Sequence, residues 1–359
     1  MTGSASEIPN RPEVIAFLNA IRDEPDDETP RLILADWLEE RDDPRGTFLR
    51  CETELASTER FTPRYWELRR QRNRLWKQHQ IAWTTALESY LDKSKKTKIT
   101  TRQGLLGLPF DAEQIEHPSF LDLTGREEWA WVDELRIENI QPRLRAVMNH
   151  PMMAHLSTLN LNSAHLHVDG AVELAKSPVL SHLHRLELKS NQLQDQGLSH
   201  LLRSEKLNNL AELELSNNSI GEEGILCLAD CEFPLQELNL AFNGLLTEKG
   251  ARRLAQASWL SSIRSLNLTL TGARSQDVSL LLRAPSLSGL QHLDFAFCRA
   301  STRRMEEMTQ SAFVDTLMSL DLTHNRLNAE MLRILGSVKW KSLRTLNLSR
   351  NSITSEVIE

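Results

Sequence analysis

One pattern, L-x-x-L-x-L-x-x-N-x-L or a close variant of it, recurs eight times along the second part of this chain. The copies follow one another at intervals of 25 to 28 residues and begin at Leu156, Leu183, Leu210, Leu235, Ile263, Leu290, Leu317 and Leu343. A period of this length is typical of a solenoid, in which each unit buries its apolar face only against its neighbours. The pattern therefore predicts a stack of equivalent coils over more than half of the chain.

Within each unit the residues predict a strand and a returning helix. Gly170, Gly197 and Gly224 stand fourteen residues after the first leucine, and the stretch after each glycine is predicted to be helical. Asparagines at the turn after the strand, such as Asn191 and Asn218, are predicted to bond backbone groups of adjacent coils. This unit is a leucine-rich repeat. The predicted fold class is α/β: a right-handed horseshoe solenoid with parallel strands inside and helices outside, preceded by a small all-α module.

Charge and helix signals divide the rest of the chain. Residues 1–60 hold 7 Lys and Arg against 15 Asp and Glu, and form the predicted helical module. Residues 61–131 are predicted to be a basic helical neck and connector; their first part, 61–105, holds 11 basic against 3 acidic residues. The solenoid is predicted over 132–359, with a weaker entry coil near Val132. For the neck we favour a solvated helix face that pairs with the acidic module over a nucleic-acid site.

The N-terminal module has residues that invite a functional interpretation. Asp36 and Trp37 stand side by side, but we predict that Trp37 fills the small core and that Asp36 and Arg45 form a structural ion pair or cap. The run from 17 to 50 resembles the repeat-companion domain of planctomycete bacteria, which is typically attached to repeat arrays. The repeats are similar to the ribonuclease-inhibitor-like subclass, through N-x-I-G-E-E-G at 218–224 and N-G-L-L-T-E-K-G. This resemblance implies a horseshoe and no particular activity.

A search for catalytic motifs finds no phosphate-binding loop, dinucleotide fingerprint, zinc-protease motif or nucleophile elbow. His155 and His182 occupy equivalent repeat positions, so their rings are predicted about 5 Å apart. A metal site there would need further rigid ligands, and we favour packing roles for both. We therefore expect no enzyme activity, no cofactor and no metal. Few cysteines, no secretion signal and no long apolar run predict a cytoplasmic protein that does not enter membranes.

The concave face of the solenoid is the predicted binding surface, because strand residues that flank the buried leucines point into the open groove. This face is polar and net acidic, which disfavours nucleic acid and suits a protein partner of basic or polar character. The leading hypothesis is a non-enzymatic interaction scaffold, with the N-terminal module as a cap or second docking site. The alternative is a regulator of an enzyme, such as a ribonuclease inhibitor or a GTPase-activating protein, by fold analogy. The predicted partner-binding residues are Arg185, Glu187, Glu212, Glu214, Glu237, Asn239, Asn267, Asp294 and Asp321.

The last repeat, from Leu343, supplies a strand and a turn but no returning helix. Its apolar residues would then lack a following coil. We expect a frayed or truncated end in preference to a specific dimer.

Overall fold

The computed structural model describes residues 10–59, 62–91, 98–116, 123–244, 246–271 and 278–353. The chain divides into two units, Met1–Ile137 with Asn149–Leu159, and Glu138–Met148 with Asn160–Glu359. We call the first the N-terminal unit and the second the solenoid unit. Residues after 353, on which the prediction of a frayed end depends, lie outside the described ranges.

Four helices build the N-terminal part of the first unit: α1 (Pro12–Asp23), α2 (Thr29–Glu39), α3 (Pro44–Ser57) and α4 (Pro63–Thr84). Each has a proline in its first turn, where the missing N–H costs nothing. The side chains of Asp43 and Thr62 cap α3 and α4 by accepting hydrogen bonds from backbone N–H groups. Each helix packs on the next, and their shared core consists of Val14, Leu18, Ile21, Leu34, Leu38, Phe48 and Leu49.

The prediction that Trp37 fills this core is wrong. Its ring is half-exposed and lies under the guanidinium of Arg41, with 3.9 Å between that group and the ring centroid. Leu34 and Leu38, four residues apart on one face of α2, occupy the interior and leave Trp37 at the rim. The buried aromatic residues are instead Phe48 and Trp83, whose ring centroids lie 5.2 Å apart, and the half-buried Trp76 packs against both.

Asp36 and Arg45 do not pair with each other, so that prediction is also wrong. Asp36, on α2, forms an ion pair at the surface with Arg50, which follows Arg45 on α3. Arg45 is buried and donates from Nη1 to Oε1 of Glu127 at 3.1 Å. Glu127 is 1% exposed and also accepts from Nε of Arg11 at 2.8 Å and from the indole N–H of Trp131 at 3.3 Å. We call Arg11, Arg45, Glu127 and Trp131 the ionic cluster.

The basic helix α4 pairs with the acidic module, as predicted. Arg64 contacts Glu54 at 2.7 Å, and Arg72 contacts Glu52 at 2.7 Å. Both carboxylates lie on α3, and these pairs tie the long helix to the module. None of the described helices combines the length and the apolar composition that crossing a membrane requires.

The connector contains a hairpin that the sequence analysis missed. Strand β1 (Thr100–Arg102) runs antiparallel to β2 (Leu105–Pro109), and β2 runs parallel to β3 (Val132–Arg136), the predicted entry coil. The turn consists of Gln103 and Gly104, whose φ angles are +48° and +88°. A Cβ at Gly104 would lie 2.2 Å from a methyl carbon of Leu49, so glycine is needed for both conformation and space. A short helix, α5 (Glu127–Ala130), precedes β3.

The repeats form an α/β leucine-rich-repeat solenoid. After β4 (Thr158–Asn160), each strand from β5 to β11 pairs in parallel with the next, in unbroken register: β5 (Arg185–Glu187), β6 (Glu212–Glu214), β7 (Glu237–Asn239), β8 (Ser265–Asn267), β9 (His292–Asp294), β10 (Ser319–Asp321) and β11 (Thr345–Asn347). The sequence pattern predicts strands at Leu159–Leu161, Leu186–Leu188 and Leu213–Leu215; each of these strands instead begins one residue earlier and is centred on its middle leucine. The α-helices of this unit pack in sequence along the other side: α6 (Leu144–Met148), α7 (His167–Lys176), α8 (Gln194–Leu202), α9 (Glu222–Ala229), α10 (Glu248–Leu254), α11 (Val278–Leu282), α12 (Thr302–Thr309) and α13 (Ala329–Gly336).

The recurring glycines lie inside the first turn of these helices, and not before it as predicted. A Cβ at Gly197 would stand 3.3 Å from the Cβ of Ala171 in the preceding coil. The glycine is therefore a site of close approach between successive helices, and the helix begins about three residues earlier than the sequence suggested.

The asparagine ladder is confirmed. The amide of Asn218 donates to the carbonyls of Leu188 and Leu215 at 2.8 and 3.0 Å, and its Oδ1 accepts from the backbone N–H of Asn191 at 2.9 Å. Asn191, Asn243, Asn325 and Asn351 bond in the same way. Where the ladder is interrupted, Thr271 and Cys298 each donate to the carbonyl of Leu268, at 2.8 and 3.3 Å.

Candidate functional site

Parallel register places the predicted binding residues in two columns on one surface of the solenoid unit. Within each strand from β5 to β10 the middle leucine is buried and the two flanking residues are not, as period-two alternation requires. One column places Arg185 beside Glu212 and Glu212 beside Glu237. The other runs through Glu187, Glu214, Asn239, Asn267, Asp294 and Asp321. We call these nine residues the strand face.

Eight of the nine line one open depression of about 160 Å³, together with Leu213, Leu238 and Ser265. Asp321 is the ninth and follows Asp294 in register on the next strand. The predicted residues therefore lie together. Whether a partner binds them stays a prediction.

Negative charge is partly compensated at the start of the strand face. Arg185 donates from Nε to Oε1 of Glu187 at 2.7 Å and forms a second ion pair with Glu212. Glu187 also accepts from the amide groups of Asn160 and Asn162, at 2.5 and 2.8 Å. The carboxylate of Glu187 is thus committed to internal partners, whereas Glu212 shares Arg185 with it and is only partly compensated.

Further along, the carboxylates crowd one another. Glu237 is exposed beside Glu212, and Asp321 stands beside Asp294. Burial, and then the charge of Asp321, raise the pKa of Asp294 above its usual range. Like charges that face each other across neighbouring strands are destabilising, so this part of the surface favours a cation.

The second column has a structural role that the sequence analysis missed. The side-chain oxygen of Asn239 accepts from the backbone N–H of Ala241 at 2.9 Å, and Asp321 accepts from Thr323 at 2.7 Å. Glu214 does the same with Ser216 at 2.6 Å. The preference for Asn, Asp and Glu at this position therefore comes partly from the turn that ends each strand.

The histidines do not form a metal site in the described residues, where no group of three or more His, Cys, Asp or Glu side chains could hold an ion. His155 shares a hydrogen bond of 3.1 Å between its Nε2 and the carbonyl of Val132. Its ring also packs edge-on against Trp129, with centroids 5.6 Å apart. Burial, and then the charge of Arg22, lower the pKa of His155 to about 4. His155 is a neutral packing residue in the N-terminal unit.

Large exposed apolar side chains lie in the turns that follow the strands, and the sequence analysis missed them. Phe242, Leu270 and Phe297 are 52%, 41% and 40% exposed. The signal was present in the repeat alignment, because all three stand seven residues after the first apolar residue of their repeats. Earlier repeats have Ser163, Ser190 and Asn217 there.

Family models agree with the repeat architecture. Sequence models described as "Leucine Rich repeat" match residues 179–202, 206–229 and 233–255, and a "Leucine Rich Repeat" model matches 342–359. No curated protein matches the chain. Among solved structures, "Crystal structure of Rad7 and Elc1 complex in yeast" matches with a TM-score of 0.45 and 15% identity, over 90% of this chain and 86% of that chain. The repeat-companion and ribonuclease-inhibitor-like resemblances stay predictions. The chain carries leucine-rich repeats, a type of module that generally mediates protein–protein interaction.

Proposed function

We propose that this chain is a non-enzymatic interaction scaffold whose strand face binds a basic segment of a protein partner. The observation that carries the proposal is the crowding of carboxylates in adjacent register, with Glu212 beside Glu237 and Asp294 beside Asp321. A Lys or Arg side chain placed between such carboxylates would relieve their repulsion and form charge-assisted hydrogen bonds.

The internal ion pairs define where such a segment would bind. Arg185 compensates Glu187 and part of Glu212, so the attraction is weakest at β5. Among the described residues that line the depression, Arg185 on β5 is the only basic side chain, and the lining residues from β6 to β9 include none. The partner's cations would therefore contact the stretch from Glu237 to Asp321.

The test uses the full chain, immobilised, with proteins captured from extracts of the source cells and quantified by mass spectrometry. The variant Glu212→Lys, Glu237→Lys reverses two charges without touching the turn-forming carboxylate of Glu214. The matched control, Glu205→Lys, Glu232→Lys, changes two exposed carboxylates that lie outside the strands.

We expect the strand-face variant to capture at least tenfold less of a partner than wild type, a change of about 1.4 kcal/mol, while the control captures as much as wild type. Binding of wild type should also weaken as salt rises. Partners captured equally by wild type and both variants, or no specific partner for wild type, would contradict the proposal.

A further inference from the structure

The turn that follows each strand of the solenoid unit has a residue in the left-handed backbone region at one constant repeat position. This residue stands seven positions after the first apolar residue of its repeat, and its φ lies between +51° and +59° in all eight repeats. Its chemistry changes along the solenoid: the eight residues are Ser163, Ser190, Asn217, Phe242, Leu270, Phe297, His324 and Arg350.

Folding does not account for the large apolar residues in this column. A positive φ favours glycine and asparagine and is unfavourable for bulky side chains. Phe242, Leu270 and Phe297 are also 40% to 52% exposed, so burial offsets little of that cost. Strained residues that the packing does not require are typical of functional sites.

A surface pocket of about 320 Å³ lies at the later repeats, and it is lined by Leu270 and Phe297 together with three arginines. The ring of Phe297 stacks on His324, with centroids 4.2 Å apart and planes 21° apart. Arg350 donates from Nη1 to Nε2 of His324 at 3.2 Å, which fixes the imidazole against the phenyl ring. Leu270 completes the apolar part of the lining.

The pocket is basic, in contrast to the strand face beside it. Arg299, Arg326 and Arg350 are exposed at its rim, and no Asp or Glu is among the described residues that line it. Arg299 and Arg326 also have a positive φ, of +50° and +59°, so the turns themselves direct these side chains outward from the strands. We call Leu270, Phe297, His324, Arg299, Arg326 and Arg350 the turn ridge.

We propose that the turn ridge binds an acidic peptide segment of a protein, with one apolar side chain packed against Leu270 and Phe297 and flanking carboxylates paired with the arginines. Arginine forms bidentate pairs with carboxylates, and exposed aromatic residues supply the anchor contacts of protein interfaces. This inference goes beyond the proposed function, because it assigns a second surface of opposite charge and opposite ligand preference.

A peptide fits this surface better than a nucleic acid. Asp294 and Asp321 stand only three residues before Phe297 and His324 on the same coils. A continuous phosphate backbone that crossed the ridge would meet these carboxylates, whereas a peptide can present its acidic residues to the arginines alone.

The experiment selects binders from a random-peptide phage library on the immobilised full chain, then measures the affinity of the synthesised winners. We expect enriched sequences with Asp or Glu around a Trp, Phe or Leu. Their affinity should fall by tenfold or more in Phe297→Asn and in the triple variant Arg299→Glu, Arg326→Glu, Arg350→Glu. The matched triple variant Arg203→Glu, Arg283→Glu, Arg333→Glu changes exposed arginines outside the ridge and should bind normally.

Urea unfolding distinguishes binding from a structural role. Asparagine suits a left-handed position, so Phe297→Asn should unfold at the same or a higher urea concentration than wild type. A clear loss of stability in that variant would overturn the proposal, as would enriched peptides that are basic or that bind both triple variants equally.

A fluorescent oligothymidylate tests the nucleic-acid alternative. If it binds wild type but not the triple ridge variant, and no peptide is enriched, the proposal is overturned in favour of nucleic acid. Peptide binding that survives Glu212→Lys, Glu237→Lys would separate this surface from the strand face.

Discussion

The two units satisfy their buried polar groups in different ways. In the N-terminal unit, Glu127 is almost fully buried and receives hydrogen bonds from Arg11, Arg45 and Trp131, residues that share no repeat position. In the solenoid unit, a neutral asparagine at one repeated position bonds the carbonyls of two coils. The first arrangement concentrates charge at one buried carboxylate. The second distributes uncharged hydrogen bonds along the stack of coils. The difference predicts unequal responses to mutation and to acid.

The largest effect should follow the loss of the carboxylate at the centre of the ionic cluster. Glu127→Ala leaves the buried guanidinium of Arg45 without its ion pair, so we expect a loss of about 3–5 kcal/mol in the free energy of unfolding. Chemical denaturation measures it. The control Glu40→Ala, which removes an exposed partner of Arg41, should change stability by less than about 1 kcal/mol. Similar losses in both variants would mean that the cluster is not a stabilising centre.

Acid should weaken the N-terminal unit through His155. Its pKa is about 4 in the folded chain, below the ordinary value near 6.5, so the unfolded chain binds a proton in this interval that the folded chain does not. Stability is full above pH 6.5 and falls as the pH drops towards 4, by at most about 3 kcal/mol. His155→Gln should flatten this dependence in urea titrations between pH 7 and 5, and the exposed His200→Gln should not. An unchanged slope in His155→Gln would exclude this source of acid sensitivity.

A smaller loss is expected from the ladder. Asn218→Ala leaves the buried N–H of Asn191 without a partner and removes one of the two amide donors to the carbonyl of Leu188, which should cost about 1–3 kcal/mol. Asn209→Ala is the control, because its amide bonds the carbonyl of Ser181 at the surface, where water can replace it. A ladder variant as destabilised as Glu127→Ala would remove the contrast between the two units.

The smallest effects separate two residues of the strand face. Glu214 accepts from Ser216 and from Asn239, so Glu214→Ala should cost about 0.5–1.5 kcal/mol. Glu237→Ala, at an exposed position, should change stability by less than about 0.5 kcal/mol. Thermal unfolding of both variants measures the difference. Equal effects would show that the turn-forming hydrogen bonds of the second column contribute nothing.

The same contrast explains what the sequence could predict. The solenoid, its parallel strands and its ladder follow from a pattern that recurs in eight repeats, five of which have the ladder asparagine, so the roles of Asn191 and Asn218 could be predicted from sequence. The ionic cluster joins Arg11 to Glu127 across 116 residues, and no local pattern records that pair. The prediction for Trp37 is wrong because it rests on residue size, which favours burial. The face of α2 that carries Leu34 and Leu38 is the buried one, and Trp37 lies at its rim.

The candidate site was predicted in the same uneven way. Alternation along the strands identified the nine residues of the strand face, and the structure brings them together. The turn role of Asn239 and the exposure of Phe297 could not be predicted from sequence, because a repeat consensus shows that a position is polar or variable without showing its backbone conformation.

The β1–β2 hairpin has a consequence for self-association. The outer strand of a sheet presents unpaired N–H and C=O groups, to which another chain can add a strand. Every residue of β2 is buried, so this strand would be an aggregation-prone edge if it were the outermost strand of the sheet. Strand β1 occupies that side instead; it is only three residues long, and Arg136 donates to Thr100 Oγ1 at 2.9 Å to hold it in place. By folding back on itself before the repeats begin, the chain closes this edge with a short polar strand and so guards the N-terminal unit against edge-to-edge aggregation.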